Sequence, residues 1–241
     1  VATRRADRKE QRELRSAPVV LGASALVLQR ASVGFLQFQL FFWLRGENAD
    51  AWFGAAIGAG AVAAMVGNAV GPAIRKVLRE EIMLISGLAF IAVVGIGCAA
   101  VGGFGSAVVL MAAVSFGATI GKLAFDSILQ RDAHAANQGR AFAQFESRFQ
   151  LAWVLAAIPP VIWTPPGQVG FAVVGVIAAF ATVTYLIGMR AVRLGRPVPV
   201  TISKRAGREI KRRIDERRTP AAGSPRPSME APRPVVPKPN V

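Results

Sequence analysis

The sequence predicts an all-α, polytopic membrane protein with six transmembrane helices, and three observations support this fold class. The 241-residue chain is 53% hydrophobic and yet carries a formal net charge of +15, a combination that a soluble domain rarely shows. Six apolar segments reach about 20 residues, the length that crosses a hydrocarbon core of about 30 Å. The short links between them alternate between neutral or acidic and basic.

The six spans are expected near residues 18–44, 52–74, 82–101, 105–129, 141–163 and 168–189. Segments such as IMLISGLAFIAVVGIGCAAV have no polar face, whereas a helix of a soluble bundle keeps a polar stripe at helical spacing. Membrane spans are therefore favoured over buried helices. The expected domains are a cytoplasmic linker, a six-helix transmembrane domain, a basic cytoplasmic segment and a Pro-rich disordered tail, at 1–16, 17–190, 191–218 and 219–241.

The distribution of basic residues predicts the orientation. Of the 29 Lys and Arg residues, 25 lie in the two terminal regions and in the second and fourth links, whereas Arg45 alone lies in the other links. Lys and Arg are retained on the cytoplasmic side of short loops. We therefore expect a multi-pass protein of the plasma membrane with both termini in the cytoplasm.

The basic segment at 203–218 predicts contact with anionic membrane lipid, to which juxtamembrane Lys and Arg are attracted. Nucleic acid is not an expected partner, because no aromatic residues are interleaved with these charges. The single Cys98 lies in an apolar run, and the single His134 lies in a link. With no metal-ligand spacing, nucleotide loop or hydrolase motif, we expect no enzyme activity, no metal and no cofactor.

Polar side chains inside the predicted spans are the candidate functional residues, because charge in hydrocarbon is unfavourable and is usually retained for function. The candidates for a substrate cavity are Arg30, Gln37, Thr119, Lys122 and Asp126, and those for proton coupling or a gate are Glu146 and Arg148. Arg30 could instead pair with a carboxylate to hold two helices together, Lys122 could extend to the cytoplasmic interface beside Asp126, and Glu146 could form an interfacial ion pair near the gate.

Three of these side chains have a further argument from position. Arg30 lies about 18 Å into its span by helical rise, which is deep for a charged residue. Lys122 and Asp126 are four residues apart, so they can pair on one helix face. Arg148 points away from Glu146 along the helix, so the sequence leaves the partner of Glu146 open between Arg140 and a cavity residue.

Small residues and prolines mark two other spans. Gly54, Gly58, Gly67 and Gly71 stand in pairs at four-residue spacing in the second span, an interval that lets two helices approach closely. Pro159 and Pro160 predict a kink or an end of the fifth helix near the outer face.

One stretch resembles a known family. DSILQRDAHAANQGRAFAQFESRFQLAWVLAAIPPV, at 126–161, is similar to the region around helices ten and eleven of actinobacterial major facilitator superfamily transporters. The resemblance extends over about 14–190, so the six spans would be helices seven to twelve, the C-terminal half of a transporter. GPAIRKVLRE, at 71–80, is similar to the family's cytoplasmic turn but has Arg75 where aspartate is expected.

The resemblance implies proton-coupled export of a small organic compound by alternating access. It implies that the first and fourth spans line the cavity and that the third and sixth face lipid; within their predicted limits the latter two contain no Asp, Glu, Lys or Arg. It also implies that the second span packs against a missing N-terminal six-helix half. The chain, which begins at Val1, is accordingly expected to be part of a longer protein.

Two other classes remain open from the sequence. A membrane subunit of an ATP-driven permease could have six spans, and so could a six-helix membrane scaffold or receptor. The sequence upstream of Val1 would distinguish them, since six more spans there favour the half-transporter and an adjacent ATPase gene favours the permease.

Overall fold

The computed structural model describes residues 16–132 and 138–194. This part of the chain forms six α-helices and contains no strand: α1 (Ala17–Gly46), α2 (Asp50–Val77), α3 (Glu80–Val101), α4 (Gly103–Asp132), α5 (Gln138–Ile162) and α6 (Gly167–Arg193). The all-α prediction is confirmed, with one helix at each predicted span. The predicted linker, most of the basic segment, the Pro-rich tail and His134 lie outside the described residues.

Five of the helices, α1, α2, α3, α4 and α6, are long and apolar enough to cross a membrane. They indicate a membrane-spanning protein. Helix α5 is the exception to the six predicted spans: it has 25 residues, but it is not among the helices apolar enough to cross a membrane. Its first half carries Gln144, Glu146, Arg148 and Gln150, and these polar side chains offset its apolar second half.

Short links set the direction of successive helices. A single residue, Gly102, joins α3 to α4 with φ of 71°, a conformation that glycine adopts without a steric penalty. Helix α5 ends at Ile162, directly after Pro159 and Pro160, as the sequence predicts. The described links contain only one to four residues, a length that is typical of helices running in roughly opposite directions.

The pairing of the helices has an internal symmetry. Helix α1 is central and packs on α4, α5 and α6, while α2 packs on α4, and α3 packs on both α4 and α6. If the label α1 is exchanged with α4, α2 with α5 and α3 with α6, the same set of packed helix pairs results. This symmetry of helix contacts is the one expected of two three-helix units related as an inverted repeat.

Two buried apolar clusters fill the bundle, one toward each end. The cluster at the predicted cytoplasmic end includes Phe125 and Tyr185, and the cluster at the other end includes Leu40 and Phe171. Trp43 lies at this second end, with its ring centroid 5.7 Å from that of Phe171. Tryptophan is typical of the membrane interface, so this placement fits a bundle that spans the bilayer.

The four glycines of α2 do not share one role. A Cβ on Gly67 would lie 3.1 Å from Cβ of Thr119, and a Cβ on Gly71 would meet Leu123, so both contact α4. No described atom lies within 4 Å of the Cβ position of Gly54 or Gly58. The first pair therefore faces outward, and the second pair packs within the chain.

Candidate functional site

Three charged side chains meet between α4 and α5. Lys122 Nζ lies 2.7 Å from Asp126 Oδ1, one turn along α4, and 3.6 Å from Glu146 Oε2 on α5. The predicted pairing of Lys122 with Asp126 is confirmed. The partner of Glu146, which the sequence leaves open, is Lys122.

The neighbouring groups hold this cluster in place. Gln150 Nε2 donates a hydrogen bond of 3.0 Å to Glu146 Oε1, and Lys122 Nζ lies 5.7 Å from the ring centroid of Phe142, within reach of a cation–π contact. Arg30 of α1 adds a weaker electrostatic attraction to Asp126. Two cations and two carboxylates from three helices therefore lie near one another, with direct ion pairs only at Lys122.

The cluster is neither dry nor fully exposed. The side chains of Lys122, Asp126 and Glu146 are 26%, 29% and 38% exposed, so a proton or a small solute can reach them. In a lipid environment such exposure requires water or protein on that side, because charged groups are not stable against hydrocarbon. The arrangement places one ammonium group between two carboxylates that belong to different helices.

Three predicted site residues lie elsewhere. Thr119 contacts Gly67 at the boundary of α2 and α4, and its Oγ1 donates to Ser115 O at 2.9 Å. Arg148 is exposed, with its guanidinium carbon 5.6 Å from the ring centroid of Phe145. Gln37 is bound at the contact between α1 and α5. None of the three joins the charge cluster.

Helices α1 and α5 pack so closely at Gly34 that their backbones are in contact. A Cβ on Gly34 would lie 2.9 Å from the carbonyl carbon of Trp153, so only glycine fits at this position without a shift. Trp153 Nε1 donates a hydrogen bond of 3.1 Å to Gln37 Oε1. The amide of Gln37 thus connects the two helices, which explains a polar residue in a span without assigning it to a substrate.

A second ionic network, which the sequence analysis did not identify, joins α3 to the end of α4. Arg131 binds Glu80 at 3.0 Å, Glu81 at 2.8 Å and Asp132 at 2.9 Å, and Glu81 is buried. The sequence signal is an acidic pair at the start of the third span and an arginine at the end of the fourth. The partners could be assigned only once α3 was known to pack on α4.

Two buried glutamines of α1 contact other parts of the bundle. Gln39 Nε2 donates to Pro165 O at 3.4 Å and therefore ties α1 to the link before α6. Gln29 packs against Gly121 of α4, and its Nε2 has no hydrogen-bond partner in the described ranges. No group of three or more His, Cys, Asp or Glu residues in these ranges could hold a metal ion.

Comparison with known proteins gives no match: no family model and no curated protein matches the sequence, and no solved structure matches the fold. The resemblance to the major facilitator superfamily therefore stays a prediction.

Proposed function

We propose that this chain is the C-terminal half of a secondary active transporter of the major facilitator type. It would move a small organic compound across the plasma membrane by alternating access, in the direction of export and coupled to protons. The observation that carries the proposal is the partly exposed charge cluster formed by Arg30, Lys122, Asp126 and Glu146.

The cluster favours a transporter because of where its charges lie. They come from α1, α4 and α5, while α3 and α6 present apolar exteriors that include Val93 and Val176. A bundle with one charged face and one apolar face needs water or a second protein unit on the charged face. In a transporter of two six-helix units, the charged face would line half of a water-filled cavity and the apolar face would contact lipid.

The inverted repeat adds independent support. Many secondary transporters are built from inverted repeats, with binding sites where the repeats meet near the middle of the membrane. Here α1 and α4 are equivalent members of the two units, and they pack on each other. The cluster lies across this contact and continues onto α5 through Glu146.

The proposed roles follow from chemistry. Glu146 has a hydrogen-bonded oxygen and an ion-paired oxygen, so taking up a proton would change its pairing with Lys122. Arg30 forms no salt bridge with another described residue, which leaves its planar donor group able to bind an anionic or polar solute. A scaffold or receptor would not require a titratable pair in a partly open site.

The first test is the sequence upstream of Val1. Six further spans in the same reading frame are expected, and a chain that begins here beside an ATPase gene would favour the permease alternative. The second test uses the full-length protein in vesicles loaded with a pH-sensitive dye, to which a panel of small organic compounds is added under an imposed pH gradient.

In that assay, Glu146→Gln should abolish gradient-driven movement and retain substrate exchange at equilibrium, because exchange does not require loading and unloading of a proton. Glu47→Gln, at the exposed outer end of α1, is the matched control and should transport normally. Normal gradient-driven transport per folded molecule by Glu146→Gln would contradict the proposal for this residue.

A further inference from the structure

The hydroxyl group of Tyr185 on α6 is buried, and it has no hydrogen-bond partner in the part of the chain that the structure describes. The residue is only 2% exposed. A buried polar group is almost always hydrogen-bonded, either to the protein or to an ordered water molecule, because burial without a partner removes its hydration without compensation. The hydroxyl of Tyr185 therefore indicates a bound molecule.

The surroundings of Tyr185 place it beside the ionic network that joins α3 to α4. Tyr185 belongs to the same buried cluster as Leu84 of α3 and Ile128 of α4. Leu84 follows Glu81 by three residues, so the two share one face of α3. Ile128 precedes Arg131 by three residues and shares a face of α4 with it in the same way. Glu81 and Arg131 also interact electrostatically with Tyr185, so the tyrosine borders their ion pair.

The carboxylate of Glu81 can accept a further hydrogen bond. A carboxylate has about four acceptor positions, and Arg131 Nη2 donates to one of them, on Oε1, at 2.8 Å. The other oxygen, Oε2, lies 3.9 Å from Arg79 Nε, which is too far for a hydrogen bond. Glu81 is buried. A donor without a partner and an acceptor with spare capacity thus lie in one buried region, and no hydrogen bond joins them directly.

We propose that a buried water molecule joins Tyr185 to Glu81. The tyrosine hydroxyl donates a hydrogen bond to the water, and the water donates one to Glu81 Oε2. Buried water molecules typically bridge groups of this kind, with about three hydrogen bonds each. This site is independent of the proposed function, because it takes water alone and lies apart from the charge cluster at Lys122.

The water gives α6 a polar connection to α3. In the described ranges, the hydroxyls of Thr182 and Thr184 donate to carbonyls within α6 itself, and no salt bridge there joins α6 to α3 or α4. Helices α3 and α6 otherwise meet through backbone contact at Gly95 and Gly175 and through apolar side chains. The bridging water therefore fastens α6 to the ionic network at the predicted cytoplasmic ends of the three helices.

The first measurement compares melting temperatures of variants in lipid nanodiscs. Tyr185→Phe keeps the ring and removes the hydroxyl, and it should lower the melting temperature by about 2–4 °C, the shift expected when a chain of this size loses one hydrogen bond. In a Glu81→Met background, which removes the acceptor and keeps an unbranched side chain, the same change should no longer lower it. Thr184→Val removes a hydroxyl that bonds within α6, so it is the matched control and should act equally in both backgrounds.

The second measurement detects the water itself. The infrared difference spectrum between the parent protein and Tyr185→Phe is recorded in ordinary water and in water that contains the heavy oxygen isotope. An O–H stretching band of the bound water should be present only in the parent protein and should move to lower frequency with the heavier isotope, whereas protein bands should not move. This measurement does not require Glu81→Met, so it decides the proposal even where that variant does not fold.

An unchanged or higher melting temperature of Tyr185→Phe would overturn the proposal, because the hydroxyl would then be buried without a partner. An equal loss in the parent and Glu81→Met backgrounds would also overturn it, since the partner would not be Glu81. A loss that depends on Glu81 without an isotope-sensitive band would show a direct hydrogen bond and would remove the water site. Neither measurement involves a substrate, so both are separable from the transport assay.

Discussion

Replacing Gly34 by alanine is the sharpest test of how α1 and α5 pack. The added Cβ would overlap the carbonyl oxygen of Trp153 and lie 2.9 Å from its carbonyl carbon and 3.1 Å from its Cα. Carbon atoms in contact normally lie about 3.5–4.0 Å apart. Because the obstructing atoms are backbone, no change of rotamer relieves the overlap, and the helices must separate.

The expected loss of stability follows from two contributions. Overpacking of this kind costs about 1–3 kcal/mol, and the hydrogen bond from Trp153 to Gln37, already 3.1 Å long, would be weakened, at about 0.6 kcal/mol for such a bond between membrane helices. Alanine also gains helix propensity over glycine, by about 1 kcal/mol. Gly58→Ala gains the same propensity in open space, so it is the matched control.

The two variants should therefore differ by about 2–4 kcal/mol in the free energy of unfolding. For a chain of this size the difference corresponds to about 4–16 °C in melting temperature. The assay uses the reaction of Cys98 with a maleimide dye on heating, since Cys98 is the only cysteine and is buried. Equal melting temperatures for Gly34→Ala and Gly58→Ala would refute the close approach of α1 and α5.

Two further predictions concern orientation and the ionic network at the end of α4. In a Cys98→Ala background, Glu47→Cys should react with an impermeant thiol reagent added outside intact cells and Arg79→Cys should not; the reverse pattern would overturn the predicted topology. Arg131→Gln should lower the free energy of unfolding by about 1–3 kcal/mol because it leaves the buried Glu81 carboxylate with only its 3.9 Å contact to Arg79, and adding Glu81→Gln should recover part of this loss. No recovery in the double variant would show that the ion pair does not account for the loss.

Local features of the sequence predicted most of the helices and one ion pair. Hydropathy and length depend on neighbouring residues only, so the helices could be placed before any packing was known. The pair Lys122 and Asp126 was predictable for the same reason, since both lie on one helix face. The contact between Lys122 and Glu146 was not, because it depends on which helices pack together and at what height.

The second property that the sequence could not provide is which face of a helix packs against a neighbouring helix. Gly58 and Gly67 occur in the same kind of small-residue pair, yet Gly67 packs on Thr119 and Gly58 faces outward. The four-residue spacing of small residues indicates that another helix can approach closely. It does not indicate which helix that is. The same limit applies to Thr119, whose contact with Gly67 of α2 could not be predicted from its own helix.

The low hydropathy of α5 and the charge cluster have one physical explanation. A helix surrounded by lipid could not keep Glu146 and Gln150 within its length without a large loss of solvation. In this bundle Glu146 is directed toward Lys122, and Gln150 is bonded to Glu146, while the apolar second half of α5, including Leu155, is exposed in the manner of a lipid-facing helix. The polar half of α5 therefore requires the charged face of α4 beside it. Because that face remains partly open, the bundle also requires water or a second protein unit against it.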